Sequence, residues 1–159
     1  MPIRGSCLCG GVQFEIDRAV GPVELCHCAR CRKVSGSSAL MTVGVRTADY
    51  RLLSGAELIR SFTAPILYAP PAYRSTFCAR CGSQVPPAQP EGEQFEIAAG
   101  TFDEDPGVRP DRHIFVELAP VWMETGEDLP RCTIGELSRI RTGRELPPGF
   151  QLKRHSVPE

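Results

Sequence analysis

Phe77-Cys78-Ala79-Arg80-Cys81-Gly82-Ser83 is the stretch on which the reading of the fold turns. A C-x-x-C bend brings two sulfurs to face one point. Gly82, directly after it, supplies the sharp turn that lets backbone N–H groups approach them. A second pair, Cys7-Leu8-Cys9 followed by Gly10-Gly11, has the same makings. The two pairs stand about seventy residues apart. A metal held by all four would close a long loop and fasten two distant segments together, which adds folding free energy in a small chain. Zinc suits such a donor set, because four thiolates hold it in a tetrahedron at ~2.3 Å. The alternative is a pair of disulfides or a redox C-x-x-C. Against the redox motif, Gly82, Pro86 and Pro87 leave no room for a long helix after Cys81.

The choice between metal and disulfide depends on compartment. Met1-Pro2-Ile3-Arg4-Gly5-Ser6-Cys7 lacks an apolar signal core and a cleavage site. No apolar run approaches the ~20 residues that cross a bilayer. The expectation is a cytoplasmic chain, and in a reducing compartment clustered cysteines are more often metal ligands than disulfides. The net charge of −1 gives no whole-surface attraction to nucleic acid. The 159 residues suffice for one domain with a single core.

Three more cysteines lie within six residues, in Cys26-His27-Cys28-Ala29-Arg30-Cys31. Three thiolates leave a tetrahedral ion one place short, and that open position separates catalytic zinc from closed structural zinc. A soft, open site takes an incoming thiol, and coordination deprotonates it to a nucleophile suited to a small carbonyl compound. Arg30, Arg32 and Lys33 could offset the site's negative charge or attract an anionic substrate; a solvated basic face is the plainer reading of each. His27 lies between two ligating positions, where adjacent side chains point apart, so its ligation is disfavoured geometrically but left open. The seven clustered cysteines are divided here as four plus three. The other division, with Cys78 and Cys81 completing the Cys26–Cys31 group, also stays open. Cys132 reads as a small packed hydrophobe, His113 as a packed or partly exposed histidine, and His155 as a tail residue without a role.

Fifteen Gly and fifteen Pro punctuate short segments. Residues 12–16 alternate apolar and polar side chains as a half-buried strand does. Residues 40–45, 58–62, 73–77, 95–98 and 113–117 are further strand candidates. Helical signals are confined to residues 29–34 and 134–141, the latter stopped by Gly143. Residues 103–112 read as an exposed acidic turn, and the chain from Pro147 as a frayed end. The expected class is all-β, with small stacked antiparallel sheets stapled by zinc and a few short helical turns. Residues 1–124 are expected to form the zinc-binding domain. Residues 125–159 would be a C-terminal extension packed on or beyond it.

Taken in order, three strings resemble the motifs of the glutathione-dependent formaldehyde-activating family, which includes centromere protein V. They are Gly5-Ser6-Cys7-Leu8-Cys9-Gly10-Gly11-Val12-Gln13-Phe14, Cys26-His27-Cys28-Ala29-Arg30-Cys31-Arg32-Lys33 and Phe77-Cys78-Ala79-Arg80-Cys81-Gly82-Ser83. Ala99-Gly100-Thr101-Phe102-Asp103 and His113-Ile114-Phe115-Val116 are similar to further family strings, so the resemblance spans residues 4 to 122. It implies two zinc ions per chain: a structural one on Cys7, Cys9, Cys78 and Cys81, and a catalytic one on Cys26, Cys28 and Cys31. It also implies a carbon–sulfur lyase of the S-(hydroxymethyl)glutathione synthase kind, joining a glutathione-like thiol to formaldehyde or another small aldehyde, or the reverse. Ala119-Pro120-Val121-Trp122 departs from the more typical Ala-Pro-Trp string, which bears on the pocket; Trp122 is either a pocket wall or core packing. The rival expectations are a non-enzymatic zinc-stabilised binding module and a redox- or metal-responsive protein. As partners the reading expects a small thiol, no nucleic acid and no membrane, with the chain a monomer or homodimer.

Overall fold

The computed structural model describes residues 1–66, 70–123 and 133–150. Residues 1–119 form one compact unit and residues 120–156 a second. The first unit is built from three small sheets. β1 (Ile3–Ser6), β2 (Gln13–Ile16) and β5 (Tyr50–Ser54) pair antiparallel in the order β1-β2-β5. β3 (Val23–Cys26), β4 (Leu40–Arg46), β8 (Gln94–Ala98) and β9 (Arg112–Ile114) form the largest sheet, in the order β8-β4-β3-β9. β6 (Ile59–Thr63) and β7 (Arg74–Cys78) make a separate antiparallel pair. The all-β expectation holds, with one parallel pairing, β3 with β9.

The core lies where alternating residues of the first two sheets meet. Phe14 and Ile16 from β2, Val23 from β3, Val43 and Val45 from β4, Tyr50 from β5 and Ile97 from β8 are buried together. Phe102 meets Phe14 edge-on at 5.7 Å between ring centroids, and Phe95 meets Tyr50 at 5.2 Å. Such aromatic contacts add to the area they bury. The Tyr50 hydroxyl donates to the Pro87 carbonyl at 3.2 Å, which satisfies its polar end. Period-two alternation gives the large sheet a second character on its other face. There Glu24 and Cys26 of β3 stand opposite Thr42 and Leu40 of β4, and Ala98 of β8 stands opposite Thr42.

Gly44 interrupts the β-branched run of β4 for a reason visible in space. Its N–H donates to the Pro22 carbonyl at 2.9 Å, and its carbonyl accepts from Val20 and Gly21. A Cβ here would stand 2.1 Å from the Gly21 carbonyl oxygen. Gly44→Ala should therefore cost ~1–3 kcal/mol or more through overpacking. A lowered urea midpoint would show it, and an unchanged midpoint would contradict the close approach.

Differences from the sequence reading are local. β1, β3 and β5 are strands that the pattern did not reveal, being short or broken by charge and cysteine. The strand expected over 113–117 ends at Ile114, because Phe115 takes φ 54° and residues Val116–Leu118 form a 3-10 turn. The first helix, α1 (Ala29–Ser35), starts on Cys28 as its N-cap and stops at Gly36. In the second unit, α2 (Ile134–Thr142) is capped reciprocally by Thr133 and Glu136 and ended by Gly143 at φ 67°. Trp122 is 75% exposed, so the core-packing reading of it fails. Cys132, His155 and the tail from residue 151 lie outside the described residues. Among the described residues no helix is long and apolar enough to cross a membrane.

Candidate metal centres and the adjoining cavity

Cys7 and Cys9 lie in the turn between β1 and β2, while Cys78 ends β7 and Cys81 follows it. Their four sulfurs lie within 4.8 Å of one another. Cys7 Sγ is 3.5 Å from Cys9 Sγ, and Cys9 Sγ is 3.9 Å from Cys78 Sγ. A tetrahedron of sulfurs at ~2.3 Å from zinc has edges of ~3.8 Å, so the donor set fits that ion. The backbone shapes each turn. Gly10 N–H donates to the Cys7 carbonyl and Gly82 N–H to the Cys78 carbonyl, with Gly82 at φ 76°. Ser83 ties the two turns together. Its hydroxyl accepts from Leu8 N–H at 3.0 Å and lies 3.3 Å from Cys81 Sγ.

The thiols differ in acidity. Burial pushes Cys7 up to about 11, although the Val12 N–H, 3.2 Å from its sulfur, works the other way. Burial also opposes ionisation of Cys81. Hydrogen bonds from the Ser83 hydroxyl and backbone outweigh it and bring Cys81 down to about 6. A divalent cation needs all four as thiolates, so its binding draws the remaining protons off.

The second group is separate. The sulfurs of Cys26, Cys28 and Cys31 converge within 4.8 Å, all three residues buried. Cys26 comes from the end of β3, Cys28 caps α1 and Cys31 sits in its first turn. Cys31 N–H donates to Cys28 Sγ at 3.5 Å. Burial raises Cys26 and raises Cys31 strongly. Burial pushes Cys28 the same way, but the Cys31 N–H, the neighbouring thiols and Arg30 overcome it and hold Cys28 at about 7. Three soft donors fit zinc with one position left over. The four-plus-three division is the one the sulfurs adopt.

His27 turns away from this group toward β9. Its Nε2 lies 2.8 Å from His113 Nδ1, and the rings stand 5.0 Å apart. Burial lowers its pKa, with His113 and Arg32 adding to the effect. Arg30 is not simply a solvated cation. Its guanidinium lies over the Tyr73 ring at 5.6 Å, it hydrogen-bonds Cys28, and its Nε is buried without a partner. Arg32 Nε donates to the His27 carbonyl at 3.1 Å, while Lys33 is exposed.

Leu40 packs against the three thiols, with Ala98 beside it. Both also line a cavity of about 600 Å³ between the large sheet and the β7 hairpin, with Tyr73, Arg74, Thr42 and Glu96 in its walls. Small-molecule sites occupy roughly 300–1,000 Å³. Burial raises the Tyr73 phenol's pKa, Cys31 adds to that, and Gln84 donates to its oxygen at 3.2 Å. Sequence reasoning missed Tyr73 and Glu96 as site residues. The walls come from segments far apart in the chain, and only the outward register of Glu96 on a strand was there to be read.

A model of the family described as "Glutathione-dependent formaldehyde-activating enzyme" matches residues 2–118. The chain belongs to this family. A Halomonas elongata protein, provisionally named a glutathione-dependent formaldehyde-activating enzyme, is 30% identical over 139 residues, covering 85% of this chain and 88% of its own. A crystal structure of a Rhodobacter sphaeroides protein is similar at a TM-score of 0.48 and 21% identity, over 70% of this chain and 99% of that one. The family match includes both cysteine groups and both cavity walls and ends just short of the second unit.

Proposed function

We propose that this formaldehyde-activating-family chain is a cytoplasmic, zinc-dependent carbon–sulfur lyase that joins a glutathione-like thiol to a small aldehyde, or reverses that addition. The observation that carries the reading is the trio of buried thiols packed with Leu40 and Ala98, two residues that also line a cavity of ligand size. Cys7, Cys9, Cys78 and Cys81 would hold a structural zinc, and Cys26, Cys28 and Cys31 a catalytic one. When bound at the trio, zinc supplies acidification of an incoming thiol at neutral pH.

The chain's own residues do the rest. Cys26, Cys28 and Cys31 would fix the reacting point behind Leu40 and Ala98, with strand β3 and helix α1 setting their positions. Arg30 offsets the negative charge gathered there and, stacked on Tyr73, ties α1 to the hairpin wall. Leu40 and Ala98 present an apolar rim that keeps water from the thiol. In the addition, a carbon–sulfur bond forms, the carbonyl π-pair moves to oxygen, and the proton lost by the thiol ends there. Nothing is oxidised or reduced.

Purified zinc-loaded protein, incubated with glutathione and formaldehyde, should form the hemithioacetal well above the uncatalysed rate. Its exchange can be followed by two-dimensional NMR. A rate equal to the buffer control across a panel of aldehydes would leave the chain a zinc-stabilised binding module.

A further inference from the structure

Tyr73 joins the cavity wall to the trio. It stands just ahead of β7, where the Ala64 N–H donates to its carbonyl at 2.8 Å and prolongs the β6–β7 pairing. Its side chain lines the cavity. Arg30, placed between Cys28 and Cys31 at the start of α1, reaches across to it. The guanidinium hydrogen-bonds Cys28 and lies 5.6 Å from the centre of the Tyr73 ring. One side chain thus meets a trio sulfur and the face of the phenol. Gln84 Nε2 donates to the phenol oxygen at 3.2 Å, and the Ser75 hydroxyl donates to it as well. With its oxygen already accepting, what the phenol still offers is its proton. Burial raises its pKa, the charges of Cys31 and Cys28 add to this, and the group stays protonated at neutral pH.

We propose that Tyr73 is a catalytic residue, its O–H donating a hydrogen bond to the aldehyde's carbonyl oxygen as the thiol adds. This rests on the reading above that the trio is where the thiol sulfur sits. The sulfur bonds the carbonyl carbon, the π-pair moves to oxygen, and the proton lost by the thiol ends on that oxygen. Tyr73 keeps its own proton throughout. The reacting oxygen is one carbon away from the attacking sulfur, so its donor must stand within a small molecule's width of the trio. The reach of Arg30 from Cys28 to the Tyr73 ring is a spacing of that kind. A hydrogen bond that strengthens as charge gathers on the oxygen favours the transition state over the aldehyde. Gln84 and Arg30 are positioning residues, which hold the phenol by its oxygen and by its face.

Tyr73→Phe removes the hydroxyl and keeps the ring on which Arg30 lies. Calorimetry on the zinc-loaded full chain, with thioacetate and ethanethiol as ligands, reads the effect without turnover. The two are close in shape, but thioacetate carries a partly negative oxygen one carbon from its sulfur. Tyr73→Phe should bind thioacetate about ten-fold more weakly than the native protein does and ethanethiol equally well. With glutathione and formaldehyde its turnover number should fall about 100-fold, while zinc content and melting temperature stay native. Equal losses on both ligands, or a loss on neither, would overturn the proposal. So would native turnover in Tyr73→Phe. The lyase reading fails separately, if neither thiol binds the native protein and no turnover is seen.

Discussion

A Cys78→Ser chain should lose its cooperative unfolding transition together with one of the two zinc ions proposed above. Cys78 is fully buried and sits at the end of β7, 69 residues along the chain from Cys9, to which its sulfur is 3.9 Å. Around it lies a small cluster of Val12, Val85 and the other three cysteines, with half-buried Leu52, Leu58 and Ile59 packed against it. Metal binding by four cysteines is worth ~10–16 kcal/mol in small zinc domains. A whole domain keeps only ~5–15 kcal/mol. Removing one thiolate therefore threatens more free energy than the fold holds in reserve. The measurement is a circular-dichroism melt alongside zinc content by mass spectrometry. A chelator strong enough to strip the native protein should give the same flattened melt. A variant that melts at the native temperature would show that the four thiols are merely packed neighbours.

Cys28→Ser should behave in the opposite way, keeping the fold and losing the chemistry. Cys28 is both a donor of the trio and the N-cap of α1, accepting the Cys31 N–H. Serine is a preferred N-cap, so the helix keeps its start. A hydroxyl is a poor substitute for a soft thiolate toward zinc. On the proposed function, zinc content should fall from two ions to one, the melting temperature should move by a few degrees, and turnover should drop at least ~100-fold. Retained turnover would place the reaction elsewhere. The pair of variants separates a metal that holds the chain together from one that works on substrate.

Much of this was legible in the sequence because sulfur spacing is a local signal with few solutions. The knuckles at Cys7–Cys9 and Cys78–Cys81 could be read from the chain, and so could the trio and the strands at 13–16, 40–46 and 94–98. β3 was hidden because Val23-Glu24-Leu25-Cys26 shares its residues with a ligand motif and has a carboxylate in the middle. The end of β9 was misplaced because nothing in Ile114-Phe115-Val116 announces a phenylalanine at positive φ. The cavity was invisible for another reason. Its walls pair β8 with β7 and the loop after it, a juxtaposition set by tertiary folding rather than by any local pattern. Arg30 shows the same limit, since its partner Tyr73 lies 43 positions away in the sequence (73 − 30).

The large sheet turns Val43 and Ile97 inward while Thr42, Glu96 and Ala98 look the other way. A side-chain change at one position of β4 or β8 therefore meets either the close-packed interior or the open concavity, and its immediate neighbour in the chain meets the other. Replacing Glu96 alters the lining and leaves the packing of Ile97 in place, whereas trimming Ile97 opens a void without touching that lining.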